Sequence, residues 1–76
     1  MMKALIEFIA KSLVDDPTEV KVMEYRQRRD VRITLSVAEE DMGRVIGRNG
    51  RVANAMRTLL RVSASRRGMR VSLDII

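Results

Sequence analysis

The chain contains no cysteine, no histidine and no tryptophan. Without cysteine there is no disulfide framework and no thiolate nucleophile. Without histidine the commonest general base and a principal zinc ligand are missing as well. The serines have no evident activating partner, so no nucleophile–base pair can be assembled and an enzyme is not expected. No cofactor or metal is expected either. Aromatic side chains are nearly absent: Phe8 and Tyr25 are the only two. Phe8 is expected in the core, which denies the chain the aromatic platforms on which RRM and OB folds stack bases. No apolar run approaches bilayer length. Glu7 and Lys11 interrupt the first apolar stretch and no small-residue cleavage site follows it, so a signal peptide is not expected and a cytoplasmic location is.

One more absence is local. No acid occurs from Met42 to Leu73, and every base beyond residue 41 is arginine. Residues 1–41 carry seven bases and nine acids, whereas residues 42–76 carry eight arginines and Asp74 alone. Arginine presents a planar donor fork that suits phosphate and can stack on bases. A one-sided excess of this kind on a small chain favours a polyanionic partner.

Seventy-six residues are read as a single domain, 1–76, with a modest core to which a ligand or a second copy would add stability. Met2, Leu5, Ile6, Ile9 and Leu13 recur at helical spacing, predicting a helix over 2–14 with Lys3, Glu7 and Lys11 opposite. Asp15-Asp16-Pro17 ends it. Residues 19–27 read as a strand with Val20 and Val22 inward and a bulge or frayed edge at Met23-Glu24-Tyr25. Arg28-Arg29-Asp30 makes the turn. Val31, Ile33, Leu35 and Val37 then alternate with polar residues, a second strand with one buried face.

Glu39-Glu40-Asp41 place three acids at the start of a short helix ending at Ile46, where they complement its dipole. A catalytic or metal-binding role for them is disfavoured, since nothing nearby completes a coordination shell. Gly43 inside that helix points to close packing or close ligand approach. A long helix is predicted over 51–67, burying Val52, Met56, Leu59, Leu60 and Ser63 beside Ala55. Arg51, Asn54, Arg57, Thr58 and Arg61 lie opposite. Arg66 and Arg67 suit its C-terminal end, and Gly68 is the expected cap. Met69, Val71, Leu73 and Ile75 alternate in a last strand. A right-handed crossover makes strands two and three parallel. The fold class is therefore α+β, in the order αββααβ, with a three-stranded mixed sheet in the order 1-2-3 and three helices on one face.

Between the two later helices stands Val45-Ile46-Gly47-Arg48-Asn49-Gly50-Arg51-Val52. Two glycines permit a tight turn and leave the backbone open to close approach. The next helix begins at about Gly50, aiming free N–H groups and a positive dipole end over the loop, and Arg48 and Arg51 add full charge. Phosphate is the natural anion for such a site.

The element order, together with the Gly47-Arg48-Asn49-Gly50 turn between two helices, resembles the type II KH domain. Val45 to Gly50 is similar to the family's VIGxxG signature. Ala4–Asp16, Glu39-Asp41-Met42-Gly43 and Arg70-Val71-Ser72 extend the resemblance along the whole chain to the small bacterial stand-alone KH proteins of the KhpA (YlqC) family. The resemblance implies single-stranded RNA binding, with the GxxG loop clamping the backbone of about four nucleotides. Carried over, Gly47 and Gly50 admit the phosphates, and Arg48 and Asn49 are the variable loop positions. Val45, Ile46, Val52 and Ala53 line an adjoining apolar groove. It also implies an RNA-chaperone or post-transcriptional role, and pairing with itself or with a second KH-containing protein of the KhpB (Jag) type.

Three readings follow from the residues. In the first, the chain is a sequence-tolerant RNA-binding module. In the second, the fold serves protein assembly through a helix face or the edge of the third strand, and the loop is incidental. In the third, the two helices bind duplex DNA as a helix-turn-helix; the flanking strands argue against it.

Overall fold

A computed structural model describes residues 2–76. Helix α1 spans Met2–Leu13, strands β1 and β2 span Lys21–Gln27 and Asp30–Ser36, helices α2 and α3 span Met42–Ile46 and Arg51–Arg66, and strand β3 spans Arg70–Ile75. Single 3₁₀ turns at Pro17–Glu19, Glu39–Asp41 and Arg48–Gly50 link them. The sheet order is β1-β2-β3, with β1 antiparallel and β3 parallel to β2. The three helices cover one face, giving the architecture of a type II KH fold.

The alternation in β2 does what its pattern requires. Val31, Ile33 and Leu35 are buried, and Val37 just beyond the strand joins them. Leu73 of β3 lies beside Ile33 in the register. Onto this strip α1 lays Met2, Ile6 and Ala10, and α3 lays Met56, Leu60 and Ala64, while Ala53 is buried at the start of α3. Ile6, Ile33, Leu35, Val45, Met56 and Leu60 are essentially sealed from solvent, each contributing about 1.5–3 kcal/mol by burial.

Several expectations are corrected. Phe8 is 72% exposed. It lies two residues from Ile6, about 200° round the helix, and so faces away from the sheet. Leu59 is half exposed and Ala55 is on the surface, while Ala53 and Ala64 take the buried arc of α3. Small residues let the helix approach the sheet closely, and the contact arc shifts toward them. Strand β1 pairs without a bulge, from Lys21 opposite Ser36 to Gln27 opposite Asp30. Its exposed residues reflect an edge strand of which only Val22 is buried. The hairpin closes through Arg28 and Arg29, with Arg28 at φ 56°.

The acidic triplet divides. Glu39 and Glu40 are exposed on the 3₁₀ turn, but Asp41 is buried. Its carboxylate accepts the backbone N–H groups of Asp15 and Asp16, each at 3.1 Å. Its task is therefore to fasten the α1–β1 connection to α2, not to complement a dipole. Arg44, one turn on, donates to the Leu13 carbonyl and pairs with Asp15 at 3.5 Å. Gly43 has nothing within 4 Å of the place a Cβ would take, so internal packing does not demand it.

Candidate functional site

The loop at Gly47–Gly50 is held by local hydrogen bonds. The Gly47 N–H donates to the Gly43 carbonyl at 2.9 Å, closing α2, and the Gly50 N–H donates to the Gly47 carbonyl at 3.1 Å. Gly47 sits at φ 78°, ψ 169°, a region essentially restricted to glycine. Gly50 is left-handed at φ 76°, ψ 15°. Asn49, between them, is left-handed too at φ 57°, a conformation that asparagine tolerates better than most residues. Three departures from right-handed backbone within four residues turn the chain from one helix into the next. They leave Arg48 and Asn49 projecting into solvent. No side chain caps the start of α3, so its first N–H groups remain available beside the loop.

The residues singled out from sequence separate by depth. Ile46, Arg48, Asn49 and Arg51 are exposed, and Gly47, Gly50 and Val52 are half-buried. Val45 and Ala53 are in the core, at 0% and 3% exposure. Buried side chains of this kind cannot line a surface groove, contrary to the expectation for these two positions.

The structure adds residues that the loop motif does not mark. The chain reverses at Gly68, φ 67°, so β3 runs back beside α3 toward the loop. A shallow cleft of about 270 Å³ lies between them, lined by Arg57, Leu60, Arg61 and Val71 through Asp74. Arg57 donates from Nε and Nη2 to the Leu73 carbonyl at 3.2 and 3.1 Å, and from Nη1 to Asn54 Oδ1 at 3.2 Å. It thereby caps a carbonyl on the outer edge of β3. Arg61 is one turn further along the same face. The signal in the sequence was the polar stripe Arg51, Asn54, Arg57, Arg61 running from the loop; what it faced was not visible. Among the described residues no group of acids, histidines and cysteines could hold a metal, and no helix is long and apolar enough to cross a membrane.

A glycine-bracketed loop between two helices, set against a βαα-β crossover and a basic cleft, defines a KH domain of type II topology. The sequence model described as "KhpA/KhpB, KH domain" matches residues 3–75, and the chain belongs to that family, which is not one of enzymes. It is similar to the protein named "RNA-binding protein KhpA" of Clostridium acetobutylicum, at 49% identity over 99% of this chain and 100% of that one. It is likewise similar to the same-named protein of Halalkalibacterium halodurans, at 47% identity over 99% of both chains. With that of Borreliella burgdorferi it shares 46% identity over 95% of this chain and 88% of the other. No solved structure gives a significant match.

Proposed function

We propose that this protein binds single-stranded RNA. The strand's backbone would pass over Gly47–Gly50 and its bases would lie in the cleft between α3 and β3. The carrying observation is the loop itself: two glycines at positive φ, with Arg48 and Asn49 exposed and the first N–H groups of α3 uncapped. Ile46 and Val52 offer apolar surface beside it, and Arg51, Arg57 and Arg61 offer charge along the strand's path. The RNA-binding names of the relatives support the same reading. A cytoplasmic chaperone or post-transcriptional role fits a module that holds RNA mainly by its backbone, since phosphate contacts carry little sequence information.

Replacing Arg48 and Asn49 together by Asp tests it. The negative charge opposes phosphate while both side chains lie outside the core, so the fold survives. RNA affinity is expected to fall at least tenfold. If about four phosphates are engaged, the wild-type protein shows a log–log salt slope near −3. Undiminished binding by the double variant, or a flat salt response in the wild type, would sink the proposal.

An assembly role is favoured by a second observation. Leu59 and Val62 are 49% and 51% exposed and adjacent on α3. They face away from Arg57 and Arg61, so pairing with a second copy or with another KH-containing protein would leave the cleft open. The two roles are compatible.

A further inference from the structure

The charge of this molecule is concentrated away from the loop. The backbone N–H of Arg70 donates to the Arg29 carbonyl at 2.7 Å, which ties the tip of the β1–β2 hairpin to the start of β3. The end of α3 arrives at the same place. Arg26, Arg28, Arg29, Arg32, Arg66, Arg67 and Arg70 therefore meet at one pole with only Glu24 and Asp30 among them. Their excess of five equals the net charge of the whole chain, +5. The remaining bases and acids, those around the loop included, balance. Asp30 takes up Arg70 at 3.4 Å. Among the described residues no ion pair engages Arg28, Arg29, Arg66 or Arg67.

The pole also holds an aromatic face. Tyr25 is 48% exposed on the sheet surface away from the helices. The Arg32 guanidinium lies 5.5 Å from its ring centroid, on the neighbouring strand. An open concavity of about 740 Å³ surrounds the pair, lined by Tyr25, Gln27, Asp30, Arg32, Arg70 and Ser72 among others. This concavity and the cleft beside α3 share Val71 and Ser72. A strand laid along Arg57 and Arg61 passes Asp74 in the cleft and is delivered to Arg70 and Tyr25, where Glu24 and the paired Asp30 are the acids among the lining residues. Arg28 adds a further clue. It occupies a left-handed turn position, φ 56°, where glycine or asparagine is the relaxed choice. The local conformation does not ask for arginine.

The geometry points to a second contact for the same single-stranded RNA, in which the arginine pole holds phosphates beyond the cleft and Tyr25 with Arg32 stacks a base. This rests on the reading that the RNA enters at Gly47–Gly50. Helix α3, with 16 residues, sets the two contacts about 24 Å apart, so a short oligonucleotide occupies the loop alone and a longer one reaches both.

Tyr25 is the only tyrosine and there is no tryptophan, so intrinsic emission reports on this position in the unmodified protein. The test compares an RNA of about four nucleotides, the length a KH loop clamps, with one of about twelve, within the range of extended single-strand sites. The longer RNA is expected to quench tyrosine emission and the shorter one to leave it unchanged. The variant carrying Arg28→Asn and Arg29→Ser relaxes the turn and removes two charges. It is expected to bind the short RNA as the wild type does. It is expected to bind the long one about tenfold more weakly, with a salt slope shallower by about 1.4. Tyr25→Leu is expected to lose about tenfold for the long RNA only, the effect of one lost base stack. If the arginine variant and Tyr25→Leu both bind the long RNA as tightly as the wild type, the second contact does not exist, whatever the loop does. If instead the Arg48→Asp, Asn49→Asp protein keeps the long RNA while the arginine variant loses it, the loop reading fails and the pole is the principal site. Circular dichroism establishes that each variant is folded.

Discussion

A Cβ atom added to Gly47 would stand 2.6 Å from Val52 Cγ2 and 2.8 Å from the Val52 backbone nitrogen. The first glycine of the loop is therefore fixed twice, by its backbone angles and by the helix that follows. The second is fixed once: a Cβ on Gly50 would meet only Asn54 Nδ2, at 3.8 Å. The two glycines are not equivalent. Gly47→Ala is expected to cost about 3–5 kcal/mol, the sum of a glycine-only conformation and a clash with backbone that cannot swing away. Gly50→Ala is expected to cost only about 1–2 kcal/mol, the penalty for a left-handed residue. Urea unfolding of the two variants measures the difference; equal losses would show that the contact with Val52 relaxes at no cost.

Asp41 is the other residue whose removal should be felt throughout. Asp41→Ala leaves two backbone N–H groups, of Asp15 and Asp16, without their charged acceptor. A loss of about 2–4 kcal/mol is expected, since each was a charge-assisted bond at a part-buried site. Removing the neighbouring exposed Glu39 is expected to change stability by less than about 0.5 kcal/mol. Thermal unfolding of both variants checks the contrast, and a similar effect from each would mean that Asp41 is no more than a surface charge.

Arg57 joins stability to the proposed binding. Its guanidinium caps the Leu73 carbonyl on the free edge of β3. Arg57→Met keeps the apolar stem and removes the donors. The carbonyl can still reach water, so the expected loss of stability is at most about 1.5 kcal/mol. RNA affinity is expected to drop several-fold, with a salt slope shallower by about 0.7 as one phosphate contact disappears. Titrations at several salt concentrations, with unfolding measured in parallel, separate the two effects.

Leu59 and Val62 decide the assembly question. Sedimentation of the wild type is expected to show a species heavier than the monomer of 8.7 kDa. Leu59→Lys with Val62→Lys is expected to return it to the monomer with the fold intact and RNA binding retained. Both side chains are half exposed, so the core does not depend on them. An unchanged sedimentation profile would place any interface elsewhere.

Much of this was legible in the residue order. The clean alternation from Val31 to Val37 gave β2 and its buried face, and the last strand from Met69 followed the same rule. Gly47 and Gly50 marked the loop, because a positive φ is expensive for any other residue. Less visible was which apolar residues a helix would bury. Leu59 satisfied helical spacing as well as Met56 did, yet the sheet is only three strands wide and α3 packs Met56, Leu60 and Ala64 into the core instead. Phe8 misled for a related reason: hydrophobicity alone does not say which side of α1 meets the sheet. Asp41 could not be told from Glu39 and Glu40, since its partners lie 25 and 26 residues away.

The sequence by itself determined the order of elements, the loop and the sign of the charge. These depend on interactions within a few residues: side-chain alternation, helical spacing, glycine conformation and composition. Only the tertiary structure decided where the charge acts. Composition placed eight of the twelve arginines in the second half of the chain, in an almost acid-free stretch around the loop. Folding joins the hairpin tip to the start of β3 through Arg29 and Arg70, and gathers seven arginines at the opposite pole. Electrostatic potential depends on separation in space, and the pairing of β2 with β3 sets that separation.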